Sequence, residues 1–405
     1  MNPYRTLRSV VRFGPIRSDP VERRLSRAAC VADLRRLARR RLPGGVFDYI
    51  DGGAEDERTL AANVEAFARV GYRPRVLRGV GAADAASTLL GQPVAYPLVL
   101  APTGFTRIAH PQGELAVARA AERAGLPYTL STLGTRSIEE VRAVSGGRLW
   151  FQVYAWRDRG LLKEMIDRAA ASDYEALVLT VDTAVLGRRE RDVRRGFSLP
   201  PQIGPRTVVD GALHPGWTLD FVTSEPIRFA NVTGRSVGDG TSPVTLSEYI
   251  NSQFDPGLSW SDVEWLRASW DRAVVIKGIQ SVEDARLAAD AGVDAIALSN
   301  HGGRQLDGAP APFDLVAPVA DAIGGRTQII CDGGVRRGSD ILKAVAAGAD
   351  ACMAGRAYLY GLGAGGERGV ERVLEWLAAD LRRTMTLLGV GSVAELDRSL
   401  LDRLG

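Results

Sequence analysis

Eight short apolar runs punctuate the chain, each ending in polar residues or glycine. They are PLVLAP (97–102), YTLST (128–132), LWFQVY (149–154), EALVLTVD (175–182), AVVIKG (273–278), AIALSN (295–300), QIICDG (328–333) and ACMAG (351–355). Each is continuous rather than alternating, as expected of a strand buried on both faces. Helix-patterned stretches such as GELAVARAAERAG (113–125) and SVEDARLAADAG (281–292) lie between them. Both end at glycine, the residue best suited to a left-handed C-cap. The spacing, about 20 to 33 residues from strand to strand, fits βαβ units and a parallel sheet. Eight units of this kind predict an α/β fold, a (β/α)8 TIM barrel.

One interval breaks the rhythm. Roughly ninety residues separate Asp182 from Ala273, where about twenty-five would suffice. The segment carries Phe197, Pro200, Pro201, Trp217, Phe221 and Phe229, and it follows the fourth strand on the face where barrel enzymes build their sites. It is expected to be a lid or an attachment surface inserted over 183–260. Ahead of the barrel, VADLRRLARRRL and FDYIDGGAEDERTLAANVEAF read as helical, interrupted at Gly52–Gly53. The expected organisation is a basic arm over 1–30, the barrel with its helical extension over 31–395, and a tail over 396–405.

Composition changes this picture little. Apolar content of 45% and charged content of 24% belong to a soluble globular enzyme. No apolar run reaches the roughly eighteen residues of a membrane span. The start, MNPYRTLRSV, lacks the apolar core of a signal peptide, so a cytoplasmic location is expected. Cys30, Cys331 and Cys352 are odd in number and widely spaced. They are expected to be reduced packing residues, with no disulfide and no metal site. Residues 1–41 hold twelve arginines against three acids. This is the composition of an arm that lies on an anionic membrane face or nucleic acid, or of a merely solvated extension. Only three of the 51 basic residues are lysines, which favours the second. No nucleic-acid partner is expected.

Candidate chemistry gathers where the strands end. In such a barrel the C-terminal strand ends converge on one pocket. Here they supply Pro102 and Thr103, Ser131, Gln152 and Tyr154, Thr180 and Asp182, Lys277, Ser299 with His301 and Arg304, Asp332, and Gly355 with Arg356. DGGVRRG (332–338) and AGR (354–356) follow strands seven and eight, where glycine backbones and helix N-termini often hold phosphate. Arg336 and Arg356 add charge there. His301 is placed as a base, Asp182 to hold its far nitrogen, and Arg304 as a planar fork for a carboxylate. Lys277 suits negative charge on a phosphate-bearing redox cofactor. GLGAGG (361–366) matches a dinucleotide fingerprint on paper but opens no βαβ unit, so it is set aside.

SNHGGRQLDG (299–308), LTVDTAVLGRRERD (179–192), IKGI (276–279), DGGVRRGSD (332–340), AGRAYLYG (354–361) and FDYIDGGAEDE (47–57) together resemble the FMN-dependent L-2-hydroxy acid oxidoreductases. That family includes glycolate oxidase, lactate oxidase, L-lactate dehydrogenase and mandelate dehydrogenase. The resemblance covers roughly 31–395. APTGFTR (101–107), FDPGLSWSDVEWL (254–266) and GRAYLYGL (355–362) are most similar to the actinobacterial type of L-lactate dehydrogenase. It implies FMN as cofactor, with His301 as base partnered by Asp182. Arg304 and Tyr49 would bind the substrate carboxylate, assisted by Arg189, and Tyr154 the hydroxyl. Lys277 would sit beside the flavin N1–C2 carbonyl. Pro102, Thr103, Ser131, Gln152, Thr180 and Ser299 would meet the isoalloxazine or ribityl chain. Asp332, Gly333, Gly334, Arg336, Gly355 and Arg356 would hold ribityl and phosphate.

Two positions depart from the glycolate oxidase pattern: Leu133 replaces tryptophan and Gly104 replaces alanine. Both trade bulk for space beside the substrate side chain, favouring lactate or a bulkier acid over glycolate. The expected reaction is oxidation of an L-2-hydroxy acid, L-lactate first, to the 2-oxo acid. Electrons would pass to oxygen, a quinone or a cytochrome. The alternatives are an L-mandelate-like or carrier- or peptide-borne hydroxy or amino acid, and a non-catalytic flavin-binding module. The resemblance also implies a homotetramer. It further implies membrane attachment through the long insertion, where Trp217, Phe221, Ile227 and Phe229 would dip into the interface on the inner face of the cell membrane.

Overall fold

A computed structural model of the protein describes residues 18–195, 204–232 and 252–403. The first seventeen residues of the basic arm, and Phe197, Pro200 and Pro201 of the insertion, lie outside the described residues. Among the described residues, twelve strands run in chain order: β1 Val70–Tyr72, β2 Ser87–Leu89, β3 Gln92–Val94, β4 Leu98–Leu100, β5 Tyr128–Ser131, β6 Leu149–Tyr154, β7 Ala176–Thr180, β8 Ala273–Ile279, β9 Ala295–Ser299, β10 Gln328–Asp332, β11 Ala351–Ala354 and β12 Leu401–Arg403. β4 to β11 are the eight runs seen in the sequence. They pair in parallel, each with the next, and β11 closes on β4 to complete the barrel.

The strands lack polar alternation because both of their faces are buried. Outward residues such as Leu100, Leu130, Phe151, Leu177, Ile276 and Leu298 pack under the surrounding helices. Inward residues Val99, Trp150, Val178, Val275, Ala297, Ile330 and Met353 fill the barrel. The hairpin β2–β3 adds Leu89 and Val94 to that inner cluster, and Leu90 N–H donates to Gln328 Oε1 (2.8 Å). It plugs the N-terminal mouth. Three residues per strand is too short a run for periodicity to flag it.

The extension before the barrel is helical over Val31–Arg41, Gly44–Asp51 and Arg58–Ala68, broken at Gly52 as expected. Both ends assigned outside the barrel are pinned to it. Pro20–Leu25 forms a helix, capped by Asp19, whose Leu25 is fully buried. At the other end, β12 pairs antiparallel with β1. GLGAGG falls inside the helix Arg356–Leu388, whose backbone breaks at Gly365 and Gly366. A methyl group on Gly361 would stand 2.4 Å from Gly369 O, so these glycines serve close packing. The cysteines are free, with Cys331 and Cys352 buried side by side in register. Cys30 is only half-buried at a helix N-cap, not a core residue.

The insertion folds in part as two helices, Pro205–Leu213 and Pro215–Thr223. Expectation and structure diverge here. Phe229 does not face outward: it is buried, its ring 5.7 Å from that of Phe105. Trp217 is half-buried, donates to Ile108 O (2.8 Å) and stacks on Phe221. Ile227 packs partly against the core. Of the four aromatic or apolar residues expected to be exposed, only Phe221 is. The outward apolar surface is instead Val208, Val209, Leu213, Leu219 and Val222. No helix among the described residues is long and apolar enough to cross a membrane.

Candidate active site

The period-two pattern that packs the barrel also delivers the site. Ala176–Val178–Thr180, Val275–Lys277, Ala295–Ala297–Ser299 and Ile330–Asp332 each step along the inward face from apolar to polar. The polar ends open into a cavity of about 330 Å³. Of the site residues expected from the sequence, all but Asp182 and Ser299 line it. Those two stand one layer behind and orient residues that do.

His301 Nδ1 is 2.7 Å from Asp182 Oδ1, which leaves Nε2 toward the cavity. Burial lowers the His301 pKa, and the Asp182 carboxylate offsets this only in part. The imidazole is therefore a neutral base. Burial alone would raise the Asp182 pKa, yet His301 and Lys277 hold it well below the usual carboxylate range. Lys277 Nζ bonds Ser299 Oγ (3.1 Å) and lies 3.6 Å from Asp182 and 3.4 Å from Asp332. Burial opposes its charge, but the two carboxylates outweigh burial and its pKa is raised. Ser299 Oγ in turn donates to Asp332 (2.7 Å) and accepts from His301 N–H (3.1 Å).

Arg304 is held by one end. Its Nη1 donates to Tyr49 O (2.6 Å) and Gly52 O (3.1 Å). The Nε and Nη2 edge has no protein hydrogen-bond partner among the described residues, and that edge is the fork a carboxylate accepts bidentately. Burial, then the nearby Arg189 and Arg356 guanidinium groups, depress the Arg304 pKa to about 9. Tyr49 lies under both guanidinium groups, 5.1 Å from Arg304 and 6.0 Å from Arg189. Tyr154 meets Phe254 edge-on at 5.0 Å, and burial raises its pKa, so its hydroxyl stays protonated. Gly104 and Leu133 touch: a methyl group at 104 would lie 3.0 Å from Leu133 Cβ.

The residues present fit FMN. Ser131 Oγ donates to Gln152 Oε1 (3.0 Å), leaving Gln152 Nε2 buried without a partner, and Thr180 Oγ1 is likewise orphaned. Both belong to cavity-lining residues, as donors awaiting a ligand would. Thr103 is engaged with Tyr358 OH (2.7 Å), and Pro102 lines the wall beside it. At the far end lie Gly333, Gly334, Arg336, Gly355 and Arg356. Arg336 uses one nitrogen on Val335 O (2.9 Å). Arg356 donates to Ile50 O, Gly302 O and Gly52 O, so part of its fork ties the extension to the barrel. No metal-ligating cluster occurs among the described residues.

A profile described as FMN-dependent dehydrogenase matches residues 38–403. The chain belongs to that family. A provisionally named L-lactate dehydrogenase of Mycobacterium tuberculosis is 47% identical over 97% of this chain and 93% of its own length. The L-lactate dehydrogenase of Caulobacter vibrioides is 42% identical over 91% of this chain and 96% of its own. Among solved structures, a monotopic membrane protein, (S)-mandelate dehydrogenase, superposes with a TM-score of 0.89. It is 39% identical and covers 93% of this chain and 99% of its own. Mandelate oxidase superposes at 0.79 with 40% identity, over 93% of this chain and 98% of its own.

As an FMN-dependent dehydrogenase the chain holds cavity residues that the sequence did not single out. Gln305 ties two loops together, donating to Asp182 O (3.1 Å) and Val185 O (3.0 Å) and accepting from Gly187 N–H (2.9 Å). Thr183 donates to Asp182 Oδ1 (3.0 Å). Both are polar neighbours of motif residues, a signal that could have found them. Phe105, Phe229 and Phe254 wall the end of the cavity beside Tyr49 and Tyr154, and Asp192 adds a carboxylate. Phe229 and Phe254 come from the insertion, and nothing local in the sequence marks their return to the barrel mouth.

Proposed function

We propose that the protein oxidises L-lactate, or an L-2-hydroxy acid of similar or larger side chain, to the 2-oxo acid. The carrying observation is His301, its far nitrogen bound to Asp182, beside the unpartnered edge of Arg304. FMN, when bound, supplies the two-electron acceptor. Arg304, Tyr49 and Arg189 receive the substrate carboxylate, and Tyr154 donates to or accepts from its hydroxyl. His301 Nε2 takes a proton from the substrate as the electron pair departs. Asp182 stabilises the imidazolium so formed. Lys277 places a fixed positive charge where the cofactor gains electrons. Gln152 Nε2, Thr180, Ser131, Thr103 and Pro102 meet the ring and ribityl end. Asp332, Gly333, Gly334, Arg336, Gly355 and Arg356 would hold the ribityl chain and phosphate, the carboxylate on ribityl hydroxyls and the arginines on the phosphate, with Ser299 orienting Lys277 and Asp332. Gly104 and Leu133 would shape the side-chain pocket, and relatives named for lactate and for mandelate support a substrate in that size range.

The test is flavin absorbance near 450 nm, with oxygen excluded, after L-lactate is added to FMN-loaded protein. Rapid bleaching is expected, with slow recovery in air and fast recovery with a quinone. A yellow protein that no 2-hydroxy acid bleaches overturns the reading.

A peripheral membrane position on the inner face belongs to the same proposal. Val208, Val209, Leu213, Leu219 and Val222 form an exposed apolar surface on two adjacent helices. Arg41 pairs with Asp220 there, joining this surface to the arginine-rich helix Val31–Arg41. The same helix contributes Arg36 and Arg40, with Asp33, to a groove also lined by Arg23, Arg24 and Arg27. Apolar insertion beside a basic flank suits an anionic bilayer surface.

A further inference from the structure

Asp192 lines the same cavity, half-buried, and makes no hydrogen bond or ion pair among the described residues; burial raises its pKa, while the Arg304 and Arg189 guanidinium groups favour its charged form. Such a carboxylate is unexpected in a pocket that receives an acid. We infer that Asp192 sets the charge of the accepted substrate, admitting 2-hydroxy monocarboxylates and discriminating against dicarboxylates. The inference rests on the hydroxy-acid reading above and refines its substrate class.

The charges at the substrate end decide the matter. Arg189 stands three residues before Asp192, and its buried Nε has no partner. Arg304 keeps its Nε and Nη2 edge open, while its Nη1 is held by carbonyl groups. The other charges nearby are already matched, except Arg356, whose guanidinium is held by carbonyl groups and is assigned to the phosphate. Asp48 pairs with Arg195 (2.9 Å) and Arg191 (3.7 Å), and Arg191 also pairs with Asp51 (2.9 Å) and Glu57. Asp182 is engaged by His301. Two open guanidinium groups against one open carboxylate leave one uncompensated positive charge, enough for one substrate carboxylate. A second carboxylate would bring an unpaired negative charge beside Asp192 in a pocket that buries Arg304, where like charges repel strongly. Discrimination here comes from a built-in repulsion.

The experiment compares kcat/KM for L-lactate and L-malate by anaerobic flavin reduction at low salt, in wild type, Asp192→Asn, Asp192→Ser and Asp192→Glu. The neutral variants are expected to raise the malate-to-lactate ratio about tenfold or more, and Asp192→Glu to keep the wild-type ratio. An unchanged ratio in the neutral variants overturns the inference. So does a wild type that prefers malate, or loss of flavin from both neutral variants with retention in Asp192→Glu, which would assign Asp192 to structure. Wild-type protein that keeps its flavin yet is reduced by no hydroxy acid overturns the underlying reading, and this inference with it.

Discussion

His301, Gly302 and Gly303 take three successive left-handed conformations, at φ 57°, 66° and 74°. A side chain at 303 would meet Leu60 N at 2.6 Å, and one at 302 would meet Arg356 Nη1 at 2.7 Å. The glycine pair thus lets the chain turn tightly enough to aim the histidine back over the barrel. Gly278, at φ 114° in the irregular register between β8 and β9, does the same for Asp182, since a Cβ there would lie 2.8 Å from Asp182 Cβ. Three predictions belong at this scale. The depressed His301 pKa keeps its base form present below pH 6.5, so kcat/KM falls on acidification only beneath that value. Asp182→Asn removes the charge that favours imidazolium. The acidic limb should then move to lower pH while the plateau falls about a hundredfold, measured as the pH profile of flavin reduction. Arg304→Lys, which loses the planar fork, should lower kcat/KM for lactate about a hundredfold with flavin retained. A fall below threefold would remove Arg304 from carboxylate binding.

Among the elements, the long C-terminal helix does most to fix the surroundings of the barrel. It packs against Val31–Arg41 and Gly113–Arg123, and its break at Gly366 sits against His110 and Gln112. Burial, then the charges of Arg41 and Arg24, lower the His110 pKa to about 4. The unfolded chain takes a proton near pH 6.5, whereas the folded chain refuses it until about pH 4. Stability is therefore full above 6.5 and is lost as pH falls toward 4, by about 2 kcal/mol given partial exposure. His110→Asn, which keeps an acceptor for Gln112 N–H, should flatten that slope between pH 7 and 4.5 in thermal unfolding. Equal slopes in the two proteins would exclude His110 as the cause.

For the whole molecule, the distribution of apolar surface is the informative property. The barrel buries its apolar runs completely, while the helices over 205–223 leave theirs outward. Replacing Val208, Val209, Leu213, Leu219 and Val222 with serine should cut sedimentation with anionic phospholipid vesicles at least tenfold, since each aliphatic side chain contributes about 1.5 kcal/mol or more when buried. The flavin spectrum and turnover with a soluble acceptor should not change. Unaltered partitioning would exclude this surface as a membrane contact.

The eight barrel strands and the polar residues at their ends were legible in the sequence because each is a local property. A strand buried on both faces reads as a continuous apolar run, and its polar end follows directly. The three-residue β2–β3 plug and the β1–β12 clasp were not legible. They are too short for periodicity, and β1 and β12 lie more than three hundred residues apart. The insertion shows the same division. Its aromatics were visible in the sequence, but Phe229 goes inward while Val208 and Leu219 go outward. Only packing against the finished barrel decides which apolar side of such a segment is buried. The charge balance around Asp192 has the same origin. The sequence supplies the charges, and the tertiary structure alone determines which are paired and which remain open toward the substrate.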